Sequence, residues 1–119
     1  MIEDYFEFLK KIVNKNPSVK DFRLVREFIG VDRGFIRFVV ELIDDSELHV
    51  FEYVDSNLHR IDYSYHLQNK EKILIIRWDN ASHHPEIKTF PHHVHEGDEI
   101  KPSDVPTFVE ILKKIGNRM

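Results

Sequence analysis

The chain contains no cysteine. That excludes a disulfide framework, a thiolate metal site and a cysteine nucleophile. It also suits a reducing cytosol, where the protein is expected to reside. Alanine occurs once, at Ala81, while Ile, Lys and Glu are abundant, a bias expected of an AT-rich or heat-adapted source. No apolar run approaches the roughly 20 residues that a membrane span needs. A secretory leader is not expected either, because MIEDYFEFLKK carries acids before its apolar residues and no cleavage site follows. The basic excess of a general DNA binder is missing. The formal net charge is −4, a total that still permits a local basic groove. Gly-rich phosphate loops, a serine nucleophile elbow and a carboxylate-rich magnesium motif are all absent. So are linkers, repeats and low-complexity segments.

What remains is 119 residues, 41% hydrophobic and 32% charged, which suits one folded domain with its own core. Residues 2–15 predict an amphipathic helix with Ile2, Tyr5, Phe6, Leu9, Ile12 and Val13 on one stripe. From Val19 the period becomes two. Phe22, Leu24 and Phe28 mark a first strand. Ile36, Phe38, Val40 and Leu42 mark a second, and Leu48, Val50, Glu52 and Val54 a third. On a fourth, Ile61, Tyr63, Tyr65 and Leu67 share a face opposite Asp62, Ser64, His66 and Gln68. Ile73 to Trp78 is a fifth. Short polar turns between consecutive strands join antiparallel neighbours, so the strands form a meander. Ser103 is placed to cap a last helix, with Pro106 in its first turn, Phe108, Ile111, Leu112 and Ile115 as its stripe, and Gly116 at its end. The expected fold is α+β: a five-stranded antiparallel meander with both helices on one face. Asp79 to Pro102 has no clear element of its own, and Phe90 to Val94 is the best place in it for a short strand. The first strand lies at an edge, where a second copy can pair to form a homodimer.

The fifth strand empties into a histidine-rich segment that holds five of the eight histidines, His83, His84, His92, His93 and His95. Imidazole titrates near neutrality, so it serves as acid, base or metal ligand. On an extended segment His93 and His95 point to one side, and His83 or His84 from the facing limb can complete a three-nitrogen set for a divalent transition metal such as zinc. The spacing is not that of a zinc finger or a helical metalloprotease. Taken singly, each histidine has a plainer role, bonding backbone in a long loop. Arg77 interrupts an apolar run, where a charge needs a partner or a cleft. Asp79 is its expected partner, and Asn80 follows as a turn former or ligand. Tyr63 and Tyr65 read as core aromatics, while His66 and Gln68 line the opposite face. His49 and His59 stand apart.

Four stretches occur together: Gly34-Phe35-Ile36-Arg37-Phe38, Tyr63-Ser64-Tyr65-His66-Leu67-Gln68, Arg77-Trp78-Asp79-Asn80-Ala81-Ser82-His83-His84-Pro85, and Thr89-Phe90-Pro91-His92-His93-Val94-His95. In order and spacing they resemble the TumE-like proteins, toxin partners of small prokaryotic toxin–antitoxin modules. Ser82 stands where the family pattern has proline. The resemblance implies a toxin neutralised by an antitoxin protein that often carries a helix-turn-helix.

Three functions remain in play. The first is a metal-independent ribonuclease, compatible with histidine and arginine in a chain that supplies no nucleophile of its own. It assigns His66, Arg77, Asp79, His84 and His93 to catalysis and Gln68, Asn80, His83, His92 and His95 to substrate binding. The second is a metal-dependent phosphodiesterase using His83, His93 and His95. The third is a binding module without catalysis, which engages a partner protein through the open sheet face and the loop.

Overall fold

The alternation read from the sequence is realised in one antiparallel sheet. A computed structural model describes residues 1–119. The elements run α1 (Ile2–Lys15), β1 (Val19–Ile29), β2 (Arg33–Leu42), β3 (Glu47–Asp55), β4 (Arg60–Gln68), β5 (Leu74–Asp79), β6 (His93–Glu96), β7 (Glu99–Pro102) and α2 (Phe108–Arg118). Every strand pairs antiparallel with its sequence neighbour, in the order β1 to β7. The edges are therefore β1 and β7.

The sheet has seven strands rather than the expected five. β6 and β7 have four residues each, too few to show a period. Gly97, at φ +61°, opens the Gly97–Asp98 turn between them, where a tight hairpin needs the left-handed conformation. The expected Phe90–Val94 strand is displaced to His93–Glu96. Pro91 has no N–H to give a ladder, and the preceding residues form successive turns, with Phe90 N bonded to Ile87 O at 3.0 Å and His92 N to Thr89 O at 2.9 Å.

The last helix also differs from expectation. Thr107, not Ser103, is its N-cap: its side chain accepts a hydrogen bond from Glu110 N at 3.2 Å and bonds the Glu110 carboxylate at 3.0 Å. This Thr-x-x-Glu pairing satisfies the first turn better than a distant serine followed by Pro106. The Ser103 hydroxyl instead donates to Asp104 O. Gly116 does not stop the helix, which continues to Arg118.

Both helices cover one sheet face. α1 buries Ile2, Phe6, Leu9 and Val13, and α2 buries Phe108, Ile111, Leu112 and Ile115. Against them the sheet presents Ile36, Phe38, Val40, Leu48, Val50, Tyr63, Tyr65 and Trp78. The Phe108 ring meets Phe38 edge-on at 5.6 Å and lies over Tyr65 at 6.3 Å. Tyr63 and Tyr65 are thus core residues, as the alternation implied. Ile61 shares their parity but is exposed. Neither helix is long and apolar enough to cross a membrane.

One carboxylate breaks the apolar face. Glu52 is fully buried and accepts hydrogen bonds from the Tyr5 hydroxyl of α1 and, at 2.6 Å, from the Tyr65 hydroxyl. Arg60 donates to the Tyr65 oxygen at 2.7 Å. Burial pushes the Glu52 carboxyl above its ordinary range despite the two phenols. Across the raised range the folded state keeps a proton that the unfolded chain releases, so this group's contribution falls as pH rises. Urea unfolding near pH 5 and pH 7.5 should show it. Glu52→Gln keeps the hydrogen-bond capacity and should remove that slope. Glu52→Ala strands two phenols and opens a cavity, at a cost of about 3 kcal/mol. Equal stabilities for the two variants would remove the network from the account.

Candidate functional site

The face opposite the helices carries the polar members of β3 to β6. The register sets two cross-strand rows on it. One joins Ser64, Asp79 and His93, and the next joins His66, Arg77 and His95. Directly opposed side chains on one face lie close enough to touch, so residues far apart in sequence form one cluster.

Asp79 is its centre. The residue is 5% exposed, and all its partners are donors. Arg77 Nε donates to Oδ2 at 2.8 Å, Ala81 N donates to Oδ1 at 3.0 Å, and His93 Nε2 lies 2.9 Å from Oδ1. His95 Nε2 stands farther off, at 3.8 Å. Burial works against ionisation here, but these donors outweigh it and hold the carboxyl below its ordinary range.

His93 is 2% exposed and is fixed at both nitrogens, with Nδ1 2.9 Å from Pro91 O and Nε2 facing Asp79. His84, from the loop, covers the rings of His93 and His95 at centroid distances of 5.1 and 5.7 Å. The His84 Nδ1 lies 3.2 Å from Glu86.

On the other side of Arg77, the guanidinium Nη1 lies 3.3 Å from His66 Nδ1, and His66 Nε2 lies 3.2 Å from Gln68 Oε1. Gln68 Nε2 then donates to Glu47 Oε1 at 3.3 Å, and His49 Nε2 is 3.2 Å from that same oxygen. The contacts fit a neutral His66 that accepts from Arg77 and donates to Gln68. Burial and the adjacent Arg77 charge hold the imidazole below its ordinary range.

The expected site residues therefore divide. His66, Gln68, Arg77, Asp79, His84, His93 and His95 share the cluster. Asn80 does not: its side chain accepts from Tyr63 N and donates to Ile61 O, both at 3.0 Å, continuing the β4–β5 pairing beyond the ladder. His92 turns to the helix side, with Nδ1 2.7 Å from the Tyr63 hydroxyl and its ring stacked on Tyr63 at 5.8 Å. That orientation follows from alternation, since His92 and His93 are adjacent on extended backbone. His83 is exposed. The metal-capable trio is His84, His93 and His95, whose ligating atoms lie within 4.8 Å of one another, so of the two alternatives for the third donor it is His84 that joins, and not the His83 assigned to the phosphodiesterase set. Sequence reading missed His49, whose ring meets His66 edge-on at 6.1 Å. Counting parity on β3 as well as β4 locates it.

The coupling of His66 to Arg77 is measurable. Arg77, Gln68 and His49 face the ring, with Glu47 behind Gln68. An NMR titration of His66 should give a midpoint below 6.5, its ordinary value, and Arg77→Met should raise it. Because the folded value is depressed, the unfolded chain takes up the proton first on acidification. Stability is lost as pH falls through 6.5, and His66→Gln should lose less over the same range. A midpoint that ignores Arg77 removal would dissolve the coupling.

Comparison with curated proteins gives no match, and comparison with solved structures gives none. The profile of one family, described as Toxin TumE, matches residues 9–119. That span takes in the second half of α1, the whole sheet and α2, and hence every member of the cluster. The chain belongs to the TumE toxin family, and is therefore the toxin component of a toxin–antitoxin module.

Proposed function

We propose that the toxin cleaves RNA, with His66 and His95 as the acid–base pair and Arg77 as the phosphate clamp. The observation that supports this is the row His66–Arg77–His95, in register on three neighbouring strands. The two histidine backbones are roughly 10 Å apart, two strand spacings, with the guanidinium between them. A phosphodiester seated on Arg77 meets one imidazole on each side. In-line attack by the RNA's own 2′-OH uses that arrangement. One imidazole removes the 2′ proton, the 2′-oxygen bonds phosphorus, the bond to the 5′-oxygen breaks, and the second imidazole protonates that oxygen. Arg77 has Nε committed to Asp79, which orients its remaining N–H groups toward the charge that grows on the phosphoryl oxygens.

In this reading His93 positions and His95 reacts. His93 is enclosed, whereas His66 and His95 are only half-buried. Asp79 orients Arg77 and His93, Gln68 orients His66, and His84 closes the loop side. The antitoxin partner is expected to carry a helix-turn-helix. In EDTA, tag-free protein should cleave RNA and leave 2′,3′-cyclic phosphate ends. His66→Ala and His95→Ala should each slow cleavage by about 10²–10⁴-fold, and the exposed His59→Ala should not. Full activity in folded His66→Ala and His95→Ala variants would end the assignment.

A second reading is favoured by the trio His84, His93 and His95 beside Asp79. The donor set suits zinc, and His93 has the usual outer contact of a ligating imidazole, Nδ1 against a backbone carbonyl. The atoms must close from separations of up to 4.8 Å to suit Zn–N bonds of about 2.0–2.1 Å. A bound metal would supply an activated water for phosphodiester hydrolysis. Elemental analysis separates the readings. Stoichiometric zinc that disappears in His84→Ala, together with activity lost in EDTA, selects the metal, and a sub-stoichiometric trace rejects it.

A further inference from the structure

Beside the histidine cluster, on the same open face, β1, β2 and β3 form a second feature. It is a groove of about 470 Å³ lined by arginines and aromatic rings alone: Arg26, Phe28, Phe35, Arg37, Phe51 and Tyr53, with Arg33 at its end. No carboxylate lines it. The arginines that form salt bridges are Arg33, Arg77 and Arg118, so Arg26 and Arg37 are without one. Each lies over an aromatic ring instead, Arg37 over Phe51 at 4.5 Å and Arg26 over Phe35 at 5.6 Å. The rings follow one another across the strands. Phe28 stacks on Phe35 at 5.9 Å, and Phe35 tilts against Phe51 at 6.5 Å. Phe28 is 51% exposed, and the sheet face offers these rings no apolar cover.

We propose that this groove is a binding platform for single-stranded RNA, in which bases stack on Phe28, Phe35, Phe51 and Tyr53 while Arg26, Arg33 and Arg37 hold the backbone phosphates. Two observations select this occupant. Arg26 and Arg37, which have no anionic partner, call for an anion, and exposed rings at the same place call for flat apolar faces; a single-stranded nucleic acid supplies both. The groove is also continuous with the cluster. Phe51 pairs with Ser64, and Ser64 with Asp79, so the platform ends about 10 Å, two strand spacings, from Asp79, in the row beside that of Arg77. A strand lying across β1 to β3 delivers its next phosphates to Arg77. A protein occupant explains the charge but not this placement beside the reactive row. The proposal rests on the RNA reading of that row for what is cut, and on the groove alone for binding.

The test measures binding apart from cleavage. The full-length protein is titrated into a fluorescein-labelled 2′-O-methyl RNA 12-mer, which lacks the attacking hydroxyl, and anisotropy is read at several salt concentrations. The single strand should bind with a salt-dependent Kd, and a duplex of the same sequence at least about tenfold more weakly. Arg26→Gln and Arg37→Gln should each weaken binding and shallow the salt slope. Phe51→Leu should weaken it about tenfold and leave the slope unchanged. Circular dichroism checks the fold, and Phe35→Leu serves as the second aromatic variant. Unchanged affinity in the arginine and phenylalanine variants overturns the platform. So does loss of antitoxin binding in these variants with RNA affinity intact, which makes the groove a protein interface. Groove-dependent binding of uncleavable RNA, with no cleavage of ordinary RNA, supports the platform and sinks the acid–base reading alone. Cleavage with an unaltered KM in the groove variants does the reverse.

Discussion

The open face is organised by one buried carboxylate. Asp79 ends β5 and takes its hydrogen bonds from Arg77, His93 and the backbone of Ala81. A buried carboxylate is stable only when donors surround it, and each donor is fixed by giving that bond. Arg77 is thereby turned along the face, His93 is locked against β5, and the chain leaving the strand is bent at Ala81 into the histidine segment. Without Asp79 the Arg77 guanidinium would lose its counter-ion and His93 Nε2 its buried partner. The strand end, the loop path and the polar cluster thus share one electrostatic cause.

The same logic operates on the covered face with opposite effect. Glu52 is also a buried carboxylate, but its partners are two phenols rather than cations in direct contact. Burial therefore wins and its proton affinity rises, whereas Asp79, held by a guanidinium, is driven lower. One acid ties α1 to the sheet and the other builds the cluster. Alternation decides which face each of them serves.

The long regular parts of this fold were legible in the sequence. β1 to β5 and both helix stripes declare themselves through repeated apolar positions, and the parity of β3 and β4 correctly opposed Tyr63 and Tyr65 to His66 and Gln68. β6 and β7 did not declare themselves. A strand reading His-Val-His-Glu has one apolar residue, and its existence depends on the β5 ladder and on the Gly97 turn. The cluster was legible as a set of residue types but not as a set of partners. Whether His83 or His84 joins it depends on loop geometry. His92 was lost to it by parity, a rule that needs the start of β6. His95 could be weighed against His93 only once their burial was known. The arginine–phenylalanine groove was invisible because its members lie on three strands whose register no sequence pattern states.

The net charge shows how a whole-chain total can mislead. A value of −4 argues against nucleic acid only if charge is spread evenly, and the register shows that it is not. Cross-strand pairing gathers Arg26 and Arg37 opposite one another, and neither forms a salt bridge, whereas the charge of Arg77 on the same face is met by Asp79. Acids that balance them stand elsewhere: Glu27 turns to Lys10 of α1, and Glu52 is sealed beneath the helices. Potential at short range follows the nearest unscreened charges, within a Debye length of about 8–10 Å. An anionic strand approaching the groove therefore meets guanidinium groups and rings with no carboxylate among them, while the acids of the open face, Asp62 and Glu47, lie outside it on β4 and β3.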